Sequence, residues 1–110
     1  MDLKFTRLQA KAIMKFLITF AQEKDEIKDD DHAQYLMQLK QKMECTNLDL
    51  SEAYQMNTPE AMLILKNLSS DSKTVVGYVF HQMMELDGPN YKDKYKNIKI
   101  LFSGIGISTF

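Results

Sequence analysis

The sequence predicts an all-α single domain, residues 1–110, of about five to seven helices. Three observations point there. Apolar residues recur at three- and four-residue spacing along most of the chain, while strand-like alternation over four or more residues is weak. Only four glycines and two prolines interrupt 110 residues, and they fall where helices should stop or start. The length suits one core and not two.

The first helix spans about Phe5 to Gln22. Ile13, Phe16, Leu17, Phe20 and Ala21 form its apolar stripe, and Lys4, Arg7, Lys11 and Lys15 share a polar face that reads as solvated. The second runs from about Asp29 to Cys45. Tyr35 or Leu36, with Leu39 and Met43, gives it an apolar face, and Asp29, Asp30 and Asp31 occupy its first turn, where the helix dipole favours negative charge. Asp49-Leu-Ser-Glu52 reads as a capping box opening a short helix. Thr58-Pro59-Glu60 reads as the start of the next, with Thr58 as cap and Pro59 at the first helical position. That helix carries Ala61, Met62, Leu65 and Leu68 and stops at Ser69-Ser70, whose hydroxyls or the Asp71 carboxylate can cap the next helix. Helix five, about Ser72 to Leu86, has the widest apolar arc (Val75, Val76, Val79, Phe80, Met83, Met84) and is expected to be the most buried. Gly77 within it marks a close crossing. Asp87-Gly88-Pro89-Asn90 is a turn. Helix six follows from about Tyr91 to Ser103 with Gly104 as C-cap, and Ile105 to Phe110 is an apolar tail tucked against the bundle.

The halves resemble each other. Sliding the chain so that Ile13 falls on Val76 also places Phe16 on Val79, Leu17 on Phe80, Phe20 on Met83 and Ala21 on Met84. Beyond the turn, without a gap, His32 falls on Tyr95, Tyr35 on Ile98 and Leu39 on Phe102. The sequence thus reads as two pseudo-repeated helix pairs around a short linking pair.

Composition narrows the function. Fourteen basic residues against fifteen acids leave a net charge of −1, which gives no reason to expect nucleic acid or an anionic membrane. Arg7 is the sole arginine, so bidentate phosphate or guanine clamps are scarce. One cysteine, Cys45, forms no internal disulfide, and with two histidines it is too little for a His/Cys zinc site. No apolar run is long enough to span a bilayer, and the expected location is the cytoplasm. His81 reads as packed and His32 as partly exposed near a helix start. No nucleophile has a base partner close in sequence, and Gly104-Ile-Gly106 lacks the third glycine of a dinucleotide loop. The expectation is therefore a non-enzyme with no resident cofactor.

The two turns can be aligned with a short pattern, a small residue, then Asp-Gly, an aliphatic, and an acid, which each copy matches only in part. The second copy reads Met84-Glu-Leu-Asp87-Gly88-Pro-Asn90-Tyr-Lys-Asp-Lys94, the first Ala21-Gln-Glu-Lys24-Asp25-Glu-Ile27-Lys-Asp-Asp-Asp31. With the closing segment Leu101 to Ile107, this resembles the TerB-like family, named for tellurite resistance, over roughly Phe5 to Ile107. The resemblance implies an all-helical fold and, in some members, divalent-cation binding by acids at the two turns. Only Asp31 and Asp87 keep the family's acids here; Lys24 and Lys94 stand at the other two positions. A hard cation wants six to eight oxygen ligands, and two ammoniums would repel it. The four positions Lys24, Asp31, Asp87 and Lys94 thus read as a self-neutralised charge cluster. The rival is a calcium or magnesium site rebuilt from Asp31 and Asp87 with Glu23, Asp25 and Asp29.

Residues 22–31 carry six acids and two lysines, and residues 91–99 four lysines and one acid. Such segregation can steer association. The expected role is an interaction or adaptor domain with a degenerate divalent-metal site, binding a protein partner or a second copy of itself. The alternatives are a divalent-cation-binding stress-response protein, or a lysine-mediated nucleic-acid or anionic-membrane module.

Overall fold

The chain is all-α. A computed structural model describes residues 4–23, 26–27, 30–86, 88 and 98–107, and for Glu23, Glu26, Ile27, Ile98 and Lys99 the backbone alone. In chain order the helices are α1 (Arg7–Ala21), α2 (Asp30–Lys42), α3 (Asn47–Gln55), α4 (Thr58–Lys66), α5 (Ser70–Glu85) and α6 (Ile98–Ile105). Between α1 and α2 two short strands, β1 (Gln22–Glu23) and β2 (Glu26–Ile27), pair antiparallel with Gln22 opposite Ile27. Among the described residues no helix is long and apolar enough to cross a membrane.

α1 is the hub, packing against α2, α3, α4 and α5. Nine of its fifteen residues are buried, against six of sixteen in α5, so the expectation that helix five is the most buried is corrected. The reason is position. A helix with neighbours on several sides buries residues outside its apolar stripe, here Ala10, Ala12 and Met14.

Four rings join α1, α5 and α6. Phe80 is fully buried and meets Phe20 edge-on at 5.3 Å, Phe16 at 5.9 Å and Phe102 at 5.9 Å. These centroid spacings lie within the favourable aromatic range. The positions matched between α1 and α5 (Ile13 with Val76, Phe16 with Val79, Leu17 with Phe80, Phe20 with Met83, Ala21 with Met84) are all buried. On α2, Leu36 and Leu39 are buried and Tyr35 is half-buried, its hydroxyl donating to the Val79 carbonyl at 3.3 Å. Burial, with a smaller contribution from Tyr78, pushes the Tyr35 phenol up to about 12. His32 is buried, not partly exposed as expected. It lies on the inward row shared with Leu36 and Leu39, and this outweighs its nearness to the helix start.

Three of the caps fall elsewhere than the sequence suggests. Thr46, not Asp49, opens α3. Its hydroxyl accepts the Asp49 N–H at 3.1 Å, and the Asp49 carboxylate accepts the Thr46 N–H at 2.9 Å. This is a reciprocal capping box one turn earlier than expected. Asn57 rather than Thr58 caps α4, accepting the Glu60 N–H at 2.8 Å, and Pro59 sits where no amide is needed. α4 stops at Lys66, short of Ser69-Ser70, and the Ser69 hydroxyl caps α5 as expected. Gly106, not Gly104, ends α6. It lies at φ 89°, and its N–H and that of Ile107 both donate to the Phe102 carbonyl at 2.9 Å. Gly104 lies within the helix, where a Cβ would stand 2.8 Å from the Met62 Cε of α4. Of the expected tail, Ile105 and Ile107 are buried, and residues 108–110 lie outside the described residues. The close approach at Gly77 is made by that tail. A Cβ on Gly77 would stand 2.9 Å from the Ile107 Cγ2.

Candidate functional site

Two polar assemblies stand out. The first joins α1 to α3. Asp49 is buried, and beyond its capping bond it faces Arg7 Nε at 3.7 Å and Lys11 Nζ at 3.9 Å; Lys11 also lies 3.3 Å from Glu52. The Thr46 N–H, then the Thr46 hydroxyl, Arg7 and Lys11, hold the Asp49 carboxyl below the usual carboxylate range against the opposing effect of burial. One turn on, the Lys15 ammonium donates to the Tyr54 carbonyl at 2.9 Å and lies 5.7 Å from the Tyr54 ring centre. The basic face of α1 is therefore not simply solvated: three of its four cations hold α3 in place. Beside this network burial, followed by the Asp49 carboxylate, pushes the Cys45 thiol up, which makes it a poor nucleophile near neutral pH.

The second assembly is a half-open groove of about 390 Å³ between α5 and the turn that ends α6. Its polar wall is the outer row of α5: Ser70, Lys73, Thr74, Tyr78 and His81. These positions recur at three and four and so share one face, opposite Val76, Phe80 and Met83. Gly77 forms part of the lining, and Gly106 with Ile107 lines the opposite side. Each glycine makes room for a neighbour. A side chain at 77 would strike Ile107, and one at 106 would stand 3.1 Å from the Lys73 ammonium. His81 is anchored edge-on to Phe102 at 5.6 Å, and the Thr74 hydroxyl donates back to the Ser70 carbonyl at 3.1 Å. Tyr78 is 54% exposed, so its ring is open to an incoming group.

Of the residues proposed from the sequence for a charge cluster or metal site, Asp31 lies exposed in the first turn of α2. Lys24, Asp25, Asp29, Asp87 and Lys94 lie outside the described residues, as does the Glu23 side chain. Among the described residues no three His, Cys, Asp or Glu side chains converge as a metal site. The groove went unread in the sequence. A polar row opposite an apolar stripe is what any surface helix shows, and the opposite wall comes from residues some thirty positions away.

No family model, no curated protein and no solved structure matches the chain.

Proposed function

We propose that the protein is a non-enzymatic interaction domain that takes a segment of a protein partner into the α5 groove. It does so on a TerB-like helical scaffold whose divalent-metal site has degenerated, in the cytoplasm. The observation that carries the reading is the groove itself. At about 390 Å³ it falls in the size range of ligand-binding clefts and combines a cation, hydroxyls, a ring and an apolar side in one open trough.

Other features support parts of this reading. The Thr74 hydroxyl is committed to its own helix rather than to a base, and the Cys45 thiol is pushed away from reactivity. Arg7, Lys11 and Lys15 are engaged with α3, which weakens the case for a lysine face serving nucleic acid or membrane. Lys24 and Lys94, at two of the four positions where the resembling family has acids, support loss of the ion site.

Selection from a displayed library of random peptides tests the proposal. Binders should be recovered by the native protein and lost with Thr74→Trp, which fills the groove from an exposed position. Failure to select any peptide, or selection of peptides that bind Thr74→Trp equally, refutes the groove as the docking site.

A further inference from the structure

Helix α4 turns only one side to the core. Ala61 and Leu65 are buried, and Leu63 stands on the opposite side of the helix, 60% exposed. Glu60 and Lys66, three residues before and after it, are exposed too, and among the described residues neither makes an ion pair. The surroundings are apolar. On one flank Leu8 of α1, 53% exposed, shares a shallow cavity with Glu60. On the other, Gly104 of α6 meets the side chain of Met62, the neighbour of Leu63. Ile100 lies one turn before Gly104 on the same row of α6 and is 80% exposed. Three exposed aliphatic side chains thus gather around one short helix, where single scattered ones would be ordinary.

We infer that two copies of the chain pair through this face, α4 against α4, antiparallel about a two-fold axis at Leu63. The inference stands apart from the groove reading, since no residue of this face lines the groove. The charges select the partner. Glu60 and Lys66 lie about 4.5 Å along the helix to either side of Leu63. A two-fold axis reverses one helix against the other. Leu63 then meets its own counterpart, and each Glu60 comes level with the other copy's Lys66. One opposite-charge contact is repeated by symmetry as two. A parallel pair would instead set Glu60 against Glu60 and Lys66 against Lys66, which is unfavourable. A partner of a single sign would leave one of the two charges unmatched. Leu63, with Ile100 beside it, supplies the apolar centre, and the charges form the rim. A face built on the nine residues of α4 belongs with small, transient interfaces, so pairing is expected at about 0.1–1 mM chain.

Sedimentation equilibrium of the full chain, from about 0.01 to 1 mM, tests the inference. The native protein should pass from monomer toward dimer over that range. Leu63→Ser, at an exposed position, should weaken pairing about a hundredfold, the loss of one leucine from each copy. Glu60→Lys and Lys66→Glu should each weaken self-pairing about tenfold or more, because each sets like charges together twice. Mixed in equal amounts, those two variants should pair with each other as well as the native protein pairs with itself, since each charged contact between them is Lys to Glu. Far-UV circular dichroism should show every variant folded. Thr74→Trp, which fills the groove, should leave pairing unchanged. A strict monomer at about 1 mM overturns the inference and leaves the face to a different partner. A dimer that survives Leu63→Ser, or one lost with Thr74→Trp, overturns the choice of face. Undiminished self-pairing of either charge variant, or a mixture that pairs no better than its parts, overturns the antiparallel two-fold arrangement.

Discussion

Replacing Gly77 by alanine sets two physical effects against each other. In a helix interior alanine is favoured over glycine by about 1 kcal/mol. On helix propensity alone the variant should be more stable. The tertiary structure opposes this. The new Cβ would stand 2.9 Å from Ile107 Cγ2, closer than carbon atoms pack, and Ile107 is itself buried. That methyl is fixed on a β-branched side chain and cannot swing away without moving the tail. Overpacking of this kind costs about 1–3 kcal/mol. The net expectation is a loss of about 0–2 kcal/mol. Urea unfolding followed by helical circular dichroism reads it directly, a loss of 1 kcal/mol lowering the midpoint by about 0.3–1 M for a slope of about 1–3 kcal/mol per molar. The decisive arm is the double-mutant cycle. Ile107→Ala removes the obstructing methyl, and in that background Gly77→Ala should stabilise by about 1 kcal/mol, giving a coupling of about 1–3 kcal/mol. If Gly77→Ala stabilises the native protein by the full helix-propensity gain, or if the cycle shows no coupling, the tail does not pack on α5 as described.

Three further outcomes are expected. Phe80→Ala removes the ring at the junction of α1, α5 and α6 and should cost about 3–5 kcal/mol in the same denaturation assay; a loss under about 1.5 kcal/mol would contradict the aromatic junction. Asp49→Asn should speed alkylation of Cys45 at fixed pH, because it removes a carboxylate that raises the thiol pKa. Since the Asp49 pKa is depressed in the fold, its contribution is present above the unfolded value near 4 and lost as pH falls through the lower folded one. The stability gap between native protein and Asp49→Asn should therefore be flat from pH 7 to about 5 and close below about 4. Millimolar calcium or magnesium should leave the thermal midpoint unmoved, and a clear upward shift would replace the degenerate site with a working one.

The helices were legible because their signal is local. Five apolar positions of α1 and five of α5, set at helical spacing, mark the faces that the fold buries. The caps were harder, for a stated reason. Thr46 and Asp49 form a box three residues apart, and so do Asp49 and Glu52 by residue type; the choice falls to the first because Asp49 is drawn under Arg7 and Lys11 of α1 while Glu52 turns to Lys11. Gly104 and Gly106 both suit a helix end. Gly104 is instead closed in by Met62 of α4, and the helix runs one more half-turn to Gly106.

By itself, then, the sequence determined the all-α class, the approximate spans of the first five helices and the apolar faces of α1 and α5, because each follows from periodicity and turn chemistry within a few residues. Only the tertiary structure decided that α1 and not α5 is the hub, that a basic face is engaged by α3, and that Lys73 lies across a turn more than thirty residues away. Those facts belong to pairs of distant residues, and no pattern within one segment records which distant surface it will meet.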